Sequence, residues 1–328
     1  MTQPLPFQLS GLPTLSRSAV DRDEAARKDE GRLDQLWKVG QVLLVDKKGR
    51  VPLLPGDTAL ALRPATAVSD SRPPDARLLG QLGDAAYWSL HTDADLRPVD
   101  PPPGSWGLWI GAEDADGVRW QDLRTIGAQL NDVDAGLFTT AVGLANWHAR
   151  AGFCAKCGSA VEVVAAGWAS RCTGCGREEY PRTDPAVICL VHDGVGVNGE
   201  QVLLARGANW PEGRFSVLAG FVETGESLEA CVRREILEEV GLRVRDIRYL
   251  GSQPWPFPRS IMLGFTARAD RALPFALAEG EIEEARWVSR EQVRATLDAG
   301  GVLDDLVLSG QTSIARQMIE SWASCTDH

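Results

Sequence analysis

The stretch that decides the fold is residues 220–242, which read GFVETGESLEACVRREILEEVGL. Within it, four apolar residues recur at every fourth position, namely Leu228, Val232, Ile236 and Val240. This spacing is typical of a helix that buries one face in a core. Ser227 can cap the start of such a helix, and Gly241 can take the left-handed conformation that ends one.

A second face of the predicted helix is acidic. Glu235, Glu238 and Glu239 are three and four residues apart, so they project from the same side. Carboxylates at this spacing repel one another unless a cation lies between them, and Mg²⁺ takes oxygen ligands that it often shares with substrate phosphates. A run of acidic residues is more often a solvated face, and this segment alone leaves that alternative open.

Read in full, the stretch resembles the Nudix box, G-x5-E-x7-R-E-U-x-E-E-x-G-U, in which U is aliphatic. Gly220 is followed by Glu226 and then by the segment REILEEVGL over residues 234–242, so every specified position is matched. The resemblance implies a hydrolase that cleaves a nucleoside diphosphate linked to another group with the help of divalent cations. It also implies that the catalytic residues are Glu239, Glu235 and Glu238.

The same resemblance implies a set of ligands for Mg²⁺ or Mn²⁺, namely Glu235, Glu239, Glu281 and the backbone carbonyl of Ala219. Glu239 is also a candidate to accept the proton of the attacking water, and Glu238 is either a ligand or an outer-shell partner. Arg234 is expected to pair with Glu226 and fix the loop against the helix. Without the resemblance, Glu281 cannot be chosen among its acidic neighbours, which taken alone predict a solvated turn.

A second unusual stretch, residues 252–260, reads SQPWPFPRS. Its prolines on alternate positions exclude a helix and a central strand, and they predict a stiff extended loop. Alternation also places Trp255 and Phe257 on a common side, where flat rings suit a base. The alternative is a surface loop whose two aromatic residues lie in the core.

This stretch resembles SQPWPFPxS, the signature that separates NADH pyrophosphatases from other Nudix hydrolases, and no position departs from it. The resemblance implies that the loop binds the dinucleotide through Gln253, Pro254, Trp255, Pro256, Phe257, Pro258, Arg259 and Ser260. It also implies three further substrate contacts elsewhere in the chain, at Tyr180, Phe221 and Ala315. A core role for Phe221 is the alternative there.

Two CxxC pairs, Cys154 with Cys157 and Cys172 with Cys175, are separated by fourteen residues. This spacing predicts a zinc ribbon in which four thiolates close a tetrahedron around one structural Zn²⁺. A redox dithiol and a pair of disulfides are the alternatives. NADH pyrophosphatases carry such a ribbon directly before the Nudix domain, and the order is the same here.

Composition narrows the class of protein. The chain has 328 residues and a formal net charge of −11, which argues against broad nucleic-acid binding but not against a phosphorylated substrate at a bound metal. It has no run of 18 apolar residues, and its first ten residues lack the features of a secretory signal, so we expect no membrane partner. With four cysteines assigned to zinc and three left unpaired, we expect a cytoplasmic protein.

The predicted fold class is α/β (α+β), a Nudix α-β-α sandwich with a mixed sheet, preceded by a zinc ribbon and an N-terminal degenerate Nudix-like domain. The predicted boundaries are a flexible tail at 1–33, the N-terminal domain without a catalytic box at 34–149, the ribbon at 150–181 and the catalytic domain at 182–328. Within the N-terminal domain, residues 41–46 and 51–54 are predicted to form a hairpin, with further strands near 87–91 and 105–111. By resemblance, this domain supports a homodimer.

The resulting hypothesis is a metal-dependent enzyme that cleaves the pyrophosphate of NADH, and of NAD⁺, to AMP and reduced nicotinamide mononucleotide (or NMN). One alternative is removal of a NAD cap from the 5′ end of RNA by the same chemistry. Another is a nucleotide-binding protein without turnover, although no glutamate of the metal-binding helix and no box arginine is missing.

Overall fold

The computed structural model describes residues 5–56, 58–99 and 111–325. The predicted strand near 105–111 lies outside these residues except for Gly111. The chain forms two compact units. The N-terminal unit comprises Arg17–Thr183 and Trp255–Arg259, and the C-terminal unit comprises Met1–Ser16, Asp184–Pro254 and Ser260–His328. Among the described residues, no helix combines the length and the apolar character needed to cross a membrane.

The N-terminal unit contains four α-helices and eleven short strands among its described residues. The helices are α1 (Glu30–Lys38), α2 (Ala65–Val68), α3 (Leu123–Ile126) and α4 (Asp132–His148). The strands are β1 (Gly40–Asp46), β2 (Arg50–Pro52), β3 (Arg63–Pro64), β4 (Arg77–Leu82), β5 (Ala85–Thr92), β6 (Arg97–Pro98), β7 (Ala112–Glu113), β8 (Arg119–Asp122), β9 (Val161–Val164), β10 (Ala169–Cys172) and β11 (Glu178–Glu179).

These strands form three sheets, with the orders β3-β1-β5-β4, β2-β8-β7-β6 and β11-β10-β9. The last of them is the sheet of the cysteine-rich module. A core of aliphatic and aromatic residues joins α1 to the first sheet, where the rings of Trp37 and Trp88 meet edge to face at 5.5 Å. Such contacts stabilise a core beyond the area they bury.

The predicted hairpin between β1 and β2 was wrong. Both strands exist, but β1 pairs with β3 and β5, whereas β2 pairs with β8 in another sheet. The reason is that each strand has a more distant partner, β5 for β1 and β8 for β2. The turn between them is fixed by Asp46, whose carboxylate accepts hydrogen bonds from the N–H groups of Lys48 and Arg50 and from the Arg50 guanidinium at 2.8 Å.

The prediction of a flexible tail over residues 1–33 is corrected for its described part. Ala26 and Leu33 are fully buried in the core of the N-terminal unit. Phe7 is 4% exposed in the core of the C-terminal unit, where its N–H donates to Asn198 Oδ1 at 2.8 Å. The segment as a whole is charged and rich in proline, so its average composition predicts disorder. That average does not reveal the few apolar residues that are buried.

The C-terminal unit contains three α-helices and nine strands among its described residues. The helices are α5 (Leu228–Val240), α6 (Arg290–Asp298) and α7 (Ile314–Ser324). The strands are β12 (Asp184–His192), β13 (Gln201–Gly207), β14 (Arg214–Phe215), β15 (Leu218–Phe221), β16 (Arg245–Trp255), β17 (Ser260–Arg268), β18 (Ile282–Ser289), β19 (Val302–Leu303) and β20 (Leu306–Leu308).

The main sheet of this unit has the order β16-β17-β12-β13-β18, with β15 paired to β12. Strand β12 runs parallel to β17 and antiparallel to β13 and β15. Along β12, Val187 and Cys189 pack with α5, whereas Ile188 and Leu190 pack with α6 and α7. Because successive strand residues face opposite sides, both faces of the sheet are covered, which confirms the predicted α-β-α sandwich.

Only part of the proline-rich stretch forms a loop, although its composition predicts a loop throughout. Residues 252–255 continue strand β16, and only residues 256–259 form a turn before β17. Strand β16 lies at the edge of the sheet, where a proline does not interrupt a ladder on its outer side. The exclusion of a central strand was therefore correct, whereas the predicted loop is confined to residues 256–259.

We predict that Phe7→Ala lowers the free energy of unfolding by about 3 kcal/mol, because it leaves a cavity in the core of the C-terminal unit. Denaturant unfolding of the full chain measures this change. Leu5→Ala is the matched control, since Leu5 is 82% exposed. Equal stability of the two variants would contradict the packed position of Phe7.

Candidate functional site

Helix α5 has the ends that its sequence predicts. The Ser227 hydroxyl accepts the N–H of Ala230 at 3.2 Å, and Gly241 ends the helix with a φ of 74°. Cys231, Val232, Ile236 and Val240 are buried against the sheet. The opposite face, which carries the glutamates, is thereby held in a fixed orientation toward the surface.

Arg234 organises the acidic face. Its guanidinium donates to both carboxylate oxygens of Glu226 at 2.9 Å, which confirms the expected pair between loop and helix. It also donates to Glu235 at 2.9 Å, to Glu238 at 3.0 Å and to the carbonyl of Phe221 at 2.9 Å. This pairing with Arg234 lowers the pKa of Glu226 to about 2.

Glu235 lies directly over Gly220, the first residue of the box. A Cβ atom at position 220 would lie 1.8 Å from the Glu235 carboxyl carbon, so only glycine leaves room for this side chain. Ala219, the other residue expected to face the cation, is exposed at the preceding position of β15. Burial raises the pKa of Glu235, although the hydrogen bond from Arg234 opposes that shift.

Glu239 is the most buried carboxylate of the group, with 7% exposure. Its Oε2 is buried and has no hydrogen-bond partner among the described residues. Burial raises the pKa of Glu239 to about 8, and the nearby charges of Glu235, Glu281 and Glu238 add to the rise. A buried carboxylate without a hydrogen-bond partner, next to like charges, is suited to bind a cation.

The glutamates just before β18 and at its start differ in whether an arginine pairs with them. Arg206 binds Glu283 at 3.1 Å and lies 3.9 Å from Glu284. The charge of Glu281 instead contributes to the raised pKa of both Glu239 and Glu235.

The donor set fits a hard divalent cation, because it consists of carboxylate oxygens, the ligands that Mg²⁺ and Mn²⁺ prefer. The glutamates are not gathered into a tight cluster in the structure. Of the metal-ligating side chains in the described ranges, only the four cysteines form a group of three or more with ligand atoms within 4.8 Å of one another. Mutual repulsion and the pull of Arg234 on Glu235 and Glu238 account for the wider spacing.

The four cysteines of the ribbon do converge. The sulfur atoms of Cys154 and Cys175 are 3.8 Å apart, and those of Cys157 and Cys172 are 3.4 Å apart. Four thiolates at about 2.3 Å from a zinc ion would lie about 3.8 Å from each other, so the site matches a tetrahedral zinc ion. Backbone N–H groups of Lys156, Gly174 and Cys175 point at the sulfurs and favour thiolates.

In the N-terminal unit, the aromatic residues of the loop lie as alternation predicts. The rings of Trp255 and Phe257 meet edge to face at 4.9 Å. Arg124 stacks on Phe257 at 3.8 Å, and Asn146 donates to the carbonyl of Pro256 at 2.7 Å. Trp255 and Phe257 are half-buried, so neither is lost in a core.

The other predicted substrate contacts of the loop differ in exposure. Pro256 is buried, Pro258 is exposed, and Pro254, Arg259 and Ser260 are half-buried. Pro254 belongs to β16 and Ser260 is the first residue of β17. Of the eight side chains, Gln253 and Pro256 are therefore buried and the other six are half-buried or exposed.

Tyr180 and Phe221 are open to solvent, with exposures of 62% and 60%. A core role for Phe221 is thereby excluded. The Tyr180 hydroxyl donates to Glu178 at 2.9 Å. Both rings are thus available for stacking, each in its own unit.

Two predicted substrate contacts are corrected. Gln253 is fully buried, its Oε1 accepts the N–H of Leu15 at 3.3 Å, and its Nε2 donates to the carbonyl of Thr312 at 3.1 Å. Its amide is used inside the C-terminal unit, so no group remains for a ligand. Ala315 is 1% exposed and its N–H is bonded to the Ser313 hydroxyl, so it has neither a free surface nor a free donor.

Sequence reasoning missed Arg206. It is 77 positions from Glu283 in the chain, and the antiparallel pairing of β13 with β18, with Arg206 opposite Glu284, brings them together. The pairing of β13 with β18 shifts register after Arg206. Just beyond this shift, the carbonyl of Glu281 accepts the N–H of Ala208. A lone arginine near the end of a predicted strand carries no signal of this role.

The chain is similar to known proteins along most of its length. Family models match residues 36–147 (NADH pyrophosphatase-like rudimentary NUDIX domain), 149–180 (NADH pyrophosphatase zinc ribbon domain) and 182–306 (NUDIX domain). The NAD-capped RNA hydrolase NudC of Mycobacterium bovis (strain BCG / Pasteur 1173P2) is 45% identical over 324 residues, covering 97% of each chain. The NAD-capped RNA hydrolase NudC of Stutzerimonas stutzeri is 39% identical over 210 residues, covering 63% of this chain and 68% of that protein.

We predict that Glu239→Gln stabilises the protein in buffer without divalent cations, and more at pH 9 than at pH 6. The raised pKa means that the folded state holds this proton more tightly than the unfolded state does. The contribution of this proton to the free energy of unfolding is complete below about pH 4.5, and it is lost as the pH rises to about 8. Glutamine stays neutral, so the gain should be on the order of 2 kcal/mol larger at pH 9. Denaturant unfolding at both pH values measures it, and a gain that does not depend on pH would contradict the buried charge.

We predict that Cys172→Ser abolishes stoichiometric zinc, because a structural site with three thiolates is incomplete. Elemental analysis of the purified protein measures the zinc content. Cys325→Ser is the control, since Cys325 lies outside the four-sulfur group and should leave the zinc content unchanged. Full zinc retention in Cys172→Ser would exclude the four-cysteine site.

Proposed function

Because the chain belongs to the zinc-ribbon-containing Nudix hydrolases of the NADH pyrophosphatase family, we propose that it hydrolyses the diphosphate of NADH, and of NAD⁺. The reaction consumes one water and yields AMP with the reduced (or oxidised) nicotinamide mononucleotide. The observation that carries this proposal is the unpartnered, buried carboxylate of Glu239 among Glu235, Glu238 and Glu281. Such a group is suited to a cation-dependent attack on an anionic substrate.

A divalent cation at this cluster, which we propose to be Mg²⁺ or Mn²⁺, would neutralise the diphosphate and make water a better nucleophile. Glu235, Glu239, Glu281 and the carbonyl of Ala219 would hold it, and Glu239 would accept the proton of the attacking water. Arg234 fixes Glu226, Glu235 and Glu238 and so positions the carboxylates without contacting substrate. Glu238 is more exposed than Glu235, which suits an outer-shell role.

For the nicotinamide end of the substrate we propose the half-buried rings of Trp255 and Phe257 and the exposed rings of Phe221 and Tyr180. Flat aromatic faces stack on heterocycles with little loss of side-chain entropy. Trp255 and Phe257 are already held by their own contact and by Arg124, so they are organised before the substrate arrives. The family resemblance supports a homodimer as the working assembly, with Tyr180 of one copy serving the other.

A second candidate substrate is RNA that carries NAD at its 5′ end. The relatives at 45% and 39% identity are named NAD-capped RNA hydrolases. The bond cleaved is the same diphosphate, so the acidic cluster serves both substrates equally. A silent nucleotide-binding protein is disfavoured, because the complete Nudix box is present. Four cysteines gathered for zinc and three others without a disulfide support a reducing compartment such as the cytoplasm.

We predict that the protein releases AMP from NADH only with Mg²⁺ or Mn²⁺, and that Glu239→Gln lowers kcat at least a hundredfold. The substitution removes the charge and the proton acceptor while it preserves size. Chromatography of AMP and the reduced mononucleotide measures the products. Glu279→Gln, in the same acidic turn but without a predicted role, is the control. Equal turnover by Glu239→Gln and the parent chain would refute the proposal.

A further inference from the structure

We propose that the indole of Trp210 and the guanidinium of Arg214 form the subsite for the adenosine end of the dinucleotide. The proposal rests on the proposed function and deepens it, because the rings proposed for the nicotinamide end leave the other nucleoside unassigned. Trp210 lies in the connection between β13 and β14, residues 208–213, which is called the indole loop below.

The indole loop begins beside the acidic site. The N–H of Ala208 donates to the carbonyl of Glu281 at 3.0 Å, so the first residue of the loop is bonded to the turn that carries this glutamate. The same turn is joined to helix α5, because the N–H of Ala278 donates to the carbonyl of Glu239 at 3.0 Å. Hydrogen bonds of the C-terminal unit therefore connect the indole loop to the helix that bears the carboxylates.

The indole of Trp210 lies on the side of the sheet that faces α5. Gly207 pairs with Ile282, and Ile282 packs against the core on the α5 side. Because directly opposed residues of two strands point to the same face, a side chain at position 207 would also point toward α5. The indole fills that space, since three of its atoms lie 3.4–3.5 Å from where a Cβ atom of residue 207 would be. The ring is therefore on the same side of the sheet as the acidic helix.

The ring of Trp210 is held in place but is not covered. The N–H of Trp210 donates to the carbonyl of Gly207 at 2.9 Å, and the N–H of Arg214 donates to the carbonyl of Pro211 at 3.2 Å. Turns thus fix both ends of the loop, yet Trp210 is 39% exposed. A flat ring that is already ordered loses little entropy when a base stacks on it.

Arg214 adds a positive charge beside this ring. Its guanidinium lies 5.2 Å from the ring centre, and it has no carboxylate or carbonyl partner among the residues that the structure describes. By contrast, Arg206 and Arg286 of the same unit both pair with carboxylates. A guanidinium next to an aromatic ring and without an anion of its own is suited to contact the phosphate of a nucleotide whose base stacks on that ring.

Two exposed aromatic rings adjoin different parts of the acidic site. Phe221 follows the glycine that lies beneath Glu235, in a strand paired with β12. Trp210 instead follows β13, in the loop that is bonded to the Glu281 turn. A dinucleotide carries one nucleoside on each side of its diphosphate, so a diphosphate at the carboxylates has one ring available for each base. Since Phe221 is proposed for the nicotinamide, Trp210 is assigned to the adenine.

The test measures hydrolysis of NADH by the full chain with Mn²⁺, and inhibition of this reaction by AMP and by nicotinamide mononucleotide. Trp210→Ala should raise KM for NADH and the inhibition constant of AMP about tenfold, which corresponds to about 1.4 kcal/mol, because the stacking partner of the adenine is lost. The inhibition constant of nicotinamide mononucleotide should not change. The value of kcat should change less than about twofold, since binding of a remote base is equal in the ground state and the transition state.

Two further substitutions at position 210 separate stacking from packing. Trp210→Leu keeps an apolar side chain against Gly207 but has no flat ring, so it should bind AMP as weakly as Trp210→Ala does. Trp210→Phe keeps a ring and should bring both constants to within about threefold of the parent values. AMP binding by the leucine variant that equals that of the parent chain would show a purely structural role and would overturn the subsite.

Arg214→Gln tests the phosphate contact. It should raise the inhibition constant of AMP about threefold, an effect of the size expected for an exposed charge pair. Inhibition by adenosine, which has no phosphate, should stay the same. An equal effect on AMP and adenosine would contradict a contact between Arg214 and the phosphate.

Tyr249→Ala is the matched control. Tyr249 is 53% exposed and lies on β16, at the opposite edge of the sheet from β18. This variant should leave every constant unchanged. The subsite is overturned if Trp210→Ala and Tyr249→Ala raise KM equally, or if Trp210→Ala weakens nicotinamide mononucleotide instead of AMP. A parent chain that hydrolyses NADH and is matched in all constants by Trp210→Ala rules out the subsite alone, whereas a parent chain that releases no AMP rules out the proposed function and the subsite with it.

Discussion

The accumulation of negative charge on one side of helix α5 is the constraint on which the catalytic part of this protein depends. Three glutamates of one helix and Glu281 from a neighbouring turn repel one another, and burial of Glu239 raises the cost. The fold tolerates this because the apolar face of α5 is anchored in the sheet and Arg234 binds three carboxylates at once. The site is thus held under electrostatic strain that a cation relieves.

The packing of both faces of strand β12 fixes the position of the site residues on the neighbouring strand. Alternate residues bind α5 on one face and α6 and α7 on the other, so a shift of this strand by one residue would reverse both interfaces. Strand β15, which pairs with β12, carries Ala219, Gly220 and Phe221. The register of a single strand therefore sets where the box glycine lies beneath Glu235 and where the Phe221 ring faces solvent.

The local features of the site were predictable from the sequence, whereas the long-range ones were not. Caps, helix ends and the convergence of four cysteines depend on residues close together in the chain, and patterns such as CxxC encode them. Arg206 meets its glutamates through strand pairing, and Gln253 is bound by groups 238 and 59 positions away. The predicted β1–β2 hairpin failed for the same reason, since β2 pairs with β8, with Arg50 opposite Asp122, 72 positions later in the chain. A sequence motif predicts the kind of chemistry at a site, but burial in the fold determines which of its residues can contact a ligand.

The position of Phe7 has a consequence for biosynthesis. Phe7 is synthesised long before Trp322, yet both residues belong to the same buried core, 315 positions apart in the chain. The core of the C-terminal unit cannot close until synthesis has passed Trp322, whereas residues 17–183 are synthesised earlier. The segment that carries Phe7 would therefore remain unburied during synthesis until that point, so a change in this segment would affect a late step of folding rather than an early one.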